Sequence, residues 1–362
     1  MYRLHTRLYL LGSIAQHFSL LTAALPLLTA GCLTLSYWSW GQSISGPEWE
    51  APTYAHDSVR IQDFAQDPEG YWIYSPECPR PAQAPVLVFM HGYGGYNPMI
   101  YGQWIEHLVR QGNVVIYPRY QRNLYFPRPN AFAPNATVGI ADALQVLVSQ
   151  NDIRIDTSQM AYVGHSYGGV ISADIAINHA AYGVPKPAAV MMVSPGTSFL
   201  NGGRLESYQD MPADVKLVIV TSEHDEVVGD EFAWKVFKEA VHVKDRILLN
   251  QLPDKHGSPA VEASHNQAYS VDLKFDSGVR NYTASRALRI TQTDAVDYFA
   301  YWRTFDALLS CLRFGNDCAL AFSGDEDQRF MGEWSDGQKV RSLEVTLPPP
   351  TQPQILEAGL GN

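Results

Sequence analysis

Continuous apolar runs recur along the chain and alternate with segments of helical pattern. Such runs are typical of strands that are covered on both faces of a sheet. Five of them occupy residues 85–90, 113–118, 160–163, 188–194 and 216–221. The pattern between them predicts helices over residues 104–111, 137–150 and 170–176. Strands that alternate with helices predict an α/β fold, with a doubly wound, mainly parallel sheet flanked by helices.

The remaining segments are assigned around this alternation. We expect one folded domain over residues 51–346, with N-terminal β structure over 54–74, a further strand over 246–252 and a closing helix over 294–312. Residues 266–293 look like an insertion whose place in the fold the pattern does not indicate. Prolines punctuate residues 347–362, which we expect to be a flexible tail or to lie on the surface.

The N-terminus has the order of a secretory signal. Arg3 and Arg7 precede a mostly apolar stretch, and small residues lead to Cys32. Residues 1–32 are therefore predicted to be an export signal and residues 33–50 a linker, in a periplasmic or extracellular protein. Residues 28–32 also resemble a bacterial lipobox, which would attach a lipid at Cys32 and tether the protein to a membrane. Simple cleavage and an uncleaved signal anchor remain alternatives, because the apolar stretch approaches the ~20 residues that span a bilayer.

The net charge of the chain indicates which class of partner is unfavourable. The chain has 26 Lys and Arg residues against 37 Asp and Glu, a formal net charge of −11. An acidic chain argues against nucleic acid as the main partner.

Cys311 and Cys318 flank a short turn and are predicted to form a local disulfide, with two separate buried thiols as the alternative. No spaced Cys/His pattern indicates a structural zinc site.

The run at 160–163 leads directly into Gly-His-Ser-Tyr-Gly, residues 164–168. A strand that turns sharply into a helix through G-x-S-x-G presents its serine on a strained corner. Ser166 is therefore the predicted nucleophile. The N–H of Tyr167, at the start of the following helix, is predicted to face a developing oxyanion.

A second glycine motif follows the strand at 85–90. It reads His91-Gly92-Tyr93-Gly94-Gly95, and we call residues 91–95 the glycine loop. Glycines let the backbone turn its N–H groups toward a ligand. The N–H of Tyr93 is predicted to complete an oxyanion hole with that of Tyr167, and Gly94 is the second choice. His91 and His165 are expected to hold the loops by hydrogen bonds.

Ser166 needs a base, and that base needs an acid to orient it. Asp225 follows the strand at 216–221 and is the predicted acid, with Glu223 and Glu226 as competitors. Two histidines lie beyond the strand at 246–252. His265 is preferred as the base because a short apolar segment precedes it, whereas His256 lies in a glycine and proline turn.

These motifs together resemble the α/β-hydrolase fold superfamily, in its broad dienelactone-hydrolase, esterase and lipase group. The resemblance spans roughly residues 60–315 and rests on 91–95, 164–169, 225–228 and His265. It implies a serine hydrolase that cleaves a small-molecule or lipid-like ester without a metal or organic cofactor. With the predicted N-terminal signal, we expect an exported enzyme. The nucleophile here is serine, unlike the cysteine of true dienelactone hydrolases. A peptidase or amidase, and a non-catalytic binding protein of the same fold, remain alternatives.

Overall fold

The apolar runs form the centre of one mixed sheet in the computed structural model, which describes residue 45 and residues 52–349. Within these residues the sheet has nine strands, in the order β1-β2-β4-β3-β5-β6-β7-β8-β9. Their bounds are β1 Ser58–Asp63, β2 Tyr71–Glu77, β3 Gln83–Met90, β4 Val114–Pro118, β5 Arg154–His165, β6 Ala189–Val193, β7 Lys216–Ser222, β8 Arg246–Gln251 and β9 Glu344–Thr346.

The six central strands, β3 to β8, run parallel to one another. β1 and β2 join one edge and β9 the other, all in antiparallel pairing. The predicted doubly wound, mainly parallel fold is therefore confirmed. In such a sheet the carboxyl ends of the parallel strands lie along one edge, where ligand sites form.

Helices cover both faces of the sheet. They are α1 Gly102–Arg110, α2 Phe132–Gln150, α3 Tyr167–Tyr182, α4 Glu231–Glu239, α5 Tyr282–Ile290, α6 Ala295–Asp297, α7 Arg303–Phe314, α8 Cys318–Phe322 and α9 Glu326–Arg329. Strand β3 shows the division, because Leu87 and Phe89 face one hydrophobic core with α1 and α7. Val86 and Val88 face the other core with α2, α3 and α4. This alternation is the period of two expected of a strand.

Helix α2 and strand β5 both begin earlier than the apolar pattern predicts. Helix α2 begins at Phe132 rather than at residue 137, with Pro134 in its first turn, where a missing N–H costs no intrahelical bond. Strand β5 begins at Arg154 rather than at residue 160, because its polar first half pairs with the start of β3 at the exposed end of the sheet. Hydrophobicity marks only the buried part of each element.

Helix α2 also belongs to the one segment of the described chain that is long and apolar enough to cross a membrane, Pro129–Gln150. Half of its apolar window is buried in the protein. It contributes Ile140 and Leu147 to the core beneath the sheet. The segment is therefore a core helix in this fold.

Residues 266–293, which the sequence pattern left unassigned, pack against the residues that follow β3. The Ser270 and Asp272 N–H groups donate to the carbonyls of Ile100 and Met99, each at 2.9 Å. The segment then forms α5, whose N-cap residue Asn281 donates from Nδ2 to the carbonyl of Gly94 at 2.8 Å. The segment 266–293 is therefore hydrogen-bonded both to residues 99 and 100 and to the glycine loop.

The predicted disulfide between Cys311 and Cys318 is confirmed. It joins the end of α7 to the start of α8. Cys78 is a free, exposed thiol. The predicted export signal 1–32, nearly all of the linker 33–50 and the tail from residue 350 lie outside the described residues.

Two carboxylates flank the short helix α6, of which Asp294 is the half-buried N-cap and Asp297, the last residue, is buried. The Asp297 side chain accepts from the Asp294 N–H at 3.0 Å through Oδ2, while its Oδ1 has no partner among the described residues. Burial, reinforced by the charge of Asp294, raises the pKa of Asp297 well above its usual range. The folded state therefore holds a proton on Asp297 at pH values where the unfolded chain has released it.

Replacing Asp297 by asparagine removes this titration. The Asp297 contribution to wild-type stability is full below the unfolded pKa near 4 and falls as pH rises toward the higher folded pKa. We expect the stability difference, Asp297→Asn minus wild type, to grow above pH 4 by up to about 1.4 kcal/mol per pH unit. Urea unfolding between pH 4 and 9 measures it. A difference that stays constant with pH would contradict the buried, protonated carboxyl.

Candidate active site

Ser166 lies at the corner where β5 ends and α3 begins. Its backbone has φ 55° and ψ −120°, a conformation that costs energy for a residue with a side chain. The Ser166 N–H donates to the carbonyl of Val193 at 2.8 Å, and its own carbonyl accepts from Gly169 at 3.0 Å and Gly196 at 3.3 Å. Neighbouring strand and helix backbone thus hold the corner in place.

Two glycines allow the corner to pack this closely. A Cβ on Gly164 would lie 2.4 Å from the carbonyl carbon of Gly168. A Cβ on Gly168 would lie 2.0 Å from the carbonyl oxygen of Met90, at the end of β3. Since real Cβ contacts are never so short, both positions require glycine for steric reasons.

The structure brings the side chains of Ser166, His265 and Asp225 together in one hydrogen-bonded row. Ser166 Oγ lies 2.9 Å from His265 Nε2, and His265 Nδ1 lies 2.7 Å from Asp225 Oδ2. All three residues are buried, with 6–8% of their surfaces exposed. Because a carboxylate can only accept, Nδ1 carries the imidazole proton, which leaves Nε2 to accept the Ser166 hydroxyl.

Asp225 is fixed by the turn that follows β7. Its Oδ1 accepts from the N–H groups of Val227 and Val228, each at 3.0 Å. Burial raises the pKa of Asp225, but the bond to His265 and these two amides outweigh burial and hold the pKa below its usual value. Asp225 therefore stays ionised at neutral pH. Its competitors Glu223 and Glu226 are exposed.

Of the two histidines considered as base, the structure brings only His265 to Ser166. The His224 N–H donates to the carbonyl of Ala263 at 2.9 Å, which ties the loop of Asp225 to that of His265. His256 lies 2.8 Å from Asp336 and packs edge-on against Trp334.

His165 connects the two loops that face Ser166. The Tyr101 hydroxyl accepts from the Gly92 N–H at 3.1 Å and donates to His165 Nδ1 at 2.8 Å. His165 Nε2 donates to the backbone carbonyl of His265 at 2.8 Å. Burial lowers the pKa of His165 to about 3, so the ring is neutral and both nitrogens have fixed roles. Sequence reasoning anticipated the loop-holding role of His165 but not Tyr101.

His91 has a similar structural place. Its ring nitrogens lie 2.6 Å from the carbonyl oxygen of Gly92 and 2.8 Å from that of Arg119. The ring stacks on Tyr120 with centroids 4.0 Å apart. Burial lowers the pKa of His91 to about 4. The first residue of the glycine loop therefore anchors it to the end of β4.

The glycine loop directs its N–H groups unequally. The Gly94 N–H donates to Gln121 Oε1 at 2.6 Å and is therefore occupied. Among the described residues, the Tyr93 N–H has no partner, although the Tyr93 carbonyl accepts from Thr283 Oγ1 at 3.2 Å. The Tyr167 N–H is the first of α3, where no intrahelical acceptor exists. Tyr93 and Tyr167 both border the same cavity as Ser166.

This cavity has a volume of about 280 Å³ and includes Ser166 and His265 in its lining. The loop after β6 contributes residues 196–200 to its wall. Apolar side chains are prominent in its lining, among them Leu124, Phe199 and Val227. A larger groove of about 630 Å³ lies beside Tyr120 and Arg128, but it contains none of the three hydrogen-bonded residues. The chemistry therefore assigns the site to the smaller cavity.

A search of the described residues for metal-binding side chains gave no candidate site. No group of three or more His, Cys, Asp or Glu residues there is arranged to hold a metal ion. The side chains hydrogen-bonded in a row with Ser166 are of the types that can serve as nucleophile, base and acid.

Comparison with known proteins gives a family match at this point. The family model described as chlorophyllase matches residues 49–205, less than half of the chain, and that match covers the glycine loop and the Ser166 corner. A search of curated proteins found no match. The matched family lies within the α/β-hydrolase superfamily, which agrees with the mixed sheet and indicates a hydrolase acting on esters.

Gly168→Ala tests the packing of the corner. The added methyl group would overlap the Met90 carbonyl, so we expect a loss of about 3 kcal/mol or more in stability. Gly183→Ala, at the other end of α3, is the matched control. Its Cβ meets nothing within 4 Å, and its φ of 69° alone should cost about 1–2 kcal/mol. Chemical denaturation measures both, and equal losses would contradict the close packing.

Proposed function

We propose that the protein is a serine hydrolase of the α/β-hydrolase superfamily, to which the family model matching residues 49–205 belongs, and that it cleaves carboxylic esters through an acyl-enzyme. The single observation that carries this proposal is the buried row Ser166–His265–Asp225, with bonds of 2.9 and 2.7 Å beside an open cavity. A serine hydroxyl is a poor nucleophile alone, and this arrangement is the one that activates it.

Acylation begins when Ser166 Oγ attacks the carbonyl carbon of the ester. The hydroxyl proton passes to His265 Nε2, and the carbonyl oxygen becomes an oxyanion. Asp225 stabilises the imidazolium through Nδ1 and keeps the ring oriented. As the intermediate collapses, Nε2–H protonates the alcohol oxygen, the ester C–O bond breaks and the acyl group remains on Ser166.

Deacylation repeats these steps with water. His265 Nε2 takes a proton from the water, whose oxygen attacks the acyl carbon. The same proton returns to Ser166 Oγ as the acid leaves. The N–H of Tyr93, which no described residue engages, and the N–H of Tyr167, the first of α3, are proposed to stabilise the oxyanion in acylation and in deacylation. The occupied N–H of Gly94 makes it the weaker choice.

The cavity favours an apolar substrate of moderate size. Its walls of Leu124, Phe199 and Val227 suit the hydrocarbon part of a small-molecule or lipid-like ester.

The row Ser166–His265–Asp225 could also cleave amides, which is the alternative activity. A panel of p-nitrophenyl esters against peptide anilides separates the two activities, and we expect the esters to be preferred.

We also propose that the protein is exported and tethered to a membrane through a lipid on Cys32. Support comes from the signal-like sequence 1–32 and from the Cys311–Cys318 disulfide, since disulfides persist mainly in oxidising compartments. A tether would hold the enzyme near lipid-like esters.

Ser166→Ala should reduce kcat/KM for esters by roughly 10⁴-fold or more, because no other group replaces the nucleophile. A fluorophosphonate probe should label the wild type at Ser166 and leave the variant unlabelled. Ser207→Ala, which changes an exposed serine outside the cavity, is the control and should behave as wild type. Normal esterase activity in a folded Ser166→Ala protein would refute the mechanism.

Lipidation can be tested in bacterial cells that express the full chain. Feeding a clickable palmitate analogue should label the wild type and not Cys32→Ser, because the acyl chain is attached at that position. Cys78→Ser, which removes the free thiol of the folded domain, should retain the label. Absence of label from the wild type would argue against the anchor while leaving the esterase proposal intact.

A further inference from the structure

Arg286 lies on α5 and lines the cavity that contains Ser166 and His265. Among the side chains that line this cavity in the described part of the chain, Arg286 alone carries a permanent charge. No aspartate or glutamate borders the cavity there. The site therefore presents a positive group in a chain whose formal net charge is −11.

The Arg286 guanidinium has no counter-ion within the residues that the structure describes. Its Nε is buried and makes no hydrogen bond. Arg280, six positions earlier, shows the ordinary arrangement, because it makes two bonds of 2.7 Å to Asp276. Arg286 is half-buried, and its guanidinium faces the cavity wall with donors that no described residue engages, so they are available to a ligand that would pair with the charge.

Arg286 borders the same cavity as Tyr269, which connects it with the histidines of the site. Burial raises the pKa of the Tyr269 phenol, and the positive charge of Arg286 opposes that rise. The Tyr269 ring packs edge-on against His165 with centroids 5.6 Å apart. His165 in turn donates to the backbone of His265. The guanidinium thus belongs to the side of the cavity next to the base.

We propose that Arg286 forms an anion subsite and that the preferred substrates are esters carrying a carboxylate on an apolar chain. The planar guanidinium suits a carboxylate, which it can bind through two parallel hydrogen bonds. The apolar walls at Leu124, Leu200 and Val227 accommodate the hydrocarbon between the ester and the carboxylate. Hydrolysis of such esters rests on the proposed function, whereas their binding does not.

The kinetic test compares esters of equal chain length that differ in terminal charge. The p-nitrophenyl monoesters of adipate and suberate are paired with p-nitrophenyl hexanoate and octanoate, with spontaneous hydrolysis subtracted. We expect the wild type to favour the charged member in kcat/KM, and Arg286→Gln to reduce that ratio by about tenfold or more. Arg286→Lys, which keeps the charge, should retain part of the preference.

A matched control and a salt series identify the source of the preference. Arg289→Gln removes a positive charge from the same helix, but Arg289 does not border the cavity, so the ratio should stay at the wild-type value. Carboxylates placed on the alcohol side, as in 4-acetoxybenzoate against phenyl acetate, are measured in parallel. Preference in either series supports the subsite, and it should weaken as ionic strength rises. Equal rates within both series, unchanged in Arg286→Gln, would overturn it.

A binding measurement tests the subsite independently of catalysis. Isothermal titration of Ser166→Ala with monobutyl glutarate and with its neutral methyl ester should show at least about tenfold tighter binding of the acid. Adding Arg286→Gln should abolish the difference. Equal binding of both ligands to Ser166→Ala would overturn the inference even if neutral esters are hydrolysed. Conversely, selective binding without any hydrolysis or Ser166 labelling would refute the proposed function alone.

Discussion

The backbone corner at Ser166 is the constraint on which the rest of the site depends. A residue with a side chain at φ 55° is strained, and it persists because surrounding bonds leave it no alternative. The Val193 carbonyl holds its N–H, and the N–H groups of Gly169 and Gly196 hold its carbonyl. Because these bonds fix the strained backbone, the Ser166 hydroxyl is held within hydrogen-bond distance of His265 Nε2.

A second constraint keeps the two facing loops in register. A chain of hydrogen bonds runs from the Gly92 N–H through Tyr101 and His165 to the backbone carbonyl of His265. Each ring nitrogen of His165 has one role, because burial keeps the imidazole neutral. The proposed oxyanion loop and the proposed base therefore have a buried, fully specified connection. Such networks position groups well because each member has a single satisfactory arrangement.

The sequence predicts this fold and the members of the row for different reasons. Buried parallel strands can be predicted because they form continuous apolar runs in the sequence. The G-x-S-x-G motif is also contiguous, so Ser166 and Tyr167 can be identified from a single short stretch. Asp225 and His265 could be proposed because each follows a strand that ends at the same sheet edge. The polar half of β5 could not be predicted, since its pairing supplies no hydrophobic signal.

The groups that sequence reasoning missed share one property. Tyr101, Gln121 and Arg286 reach the site from separate parts of the chain, and no local pattern reports their proximity. Arg286 in particular comes from the segment 266–293, whose position depends on backbone bonds to residues 99 and 100. Long-range placement of this kind is a tertiary property, which hydrophobic periodicity does not encode.

The same segment has two structural roles in the site. Helix α5 carries Arg286 on the cavity wall, and its first residues bind the carbonyls of Tyr93 and Gly94. A foreign segment grafted between residues 266 and 293 would remove Arg286 together with two of the hydrogen bonds that hold the glycine loop. In the proposed enzyme, a change in the accepted substrates made there would therefore also disturb the proposed oxyanion hole.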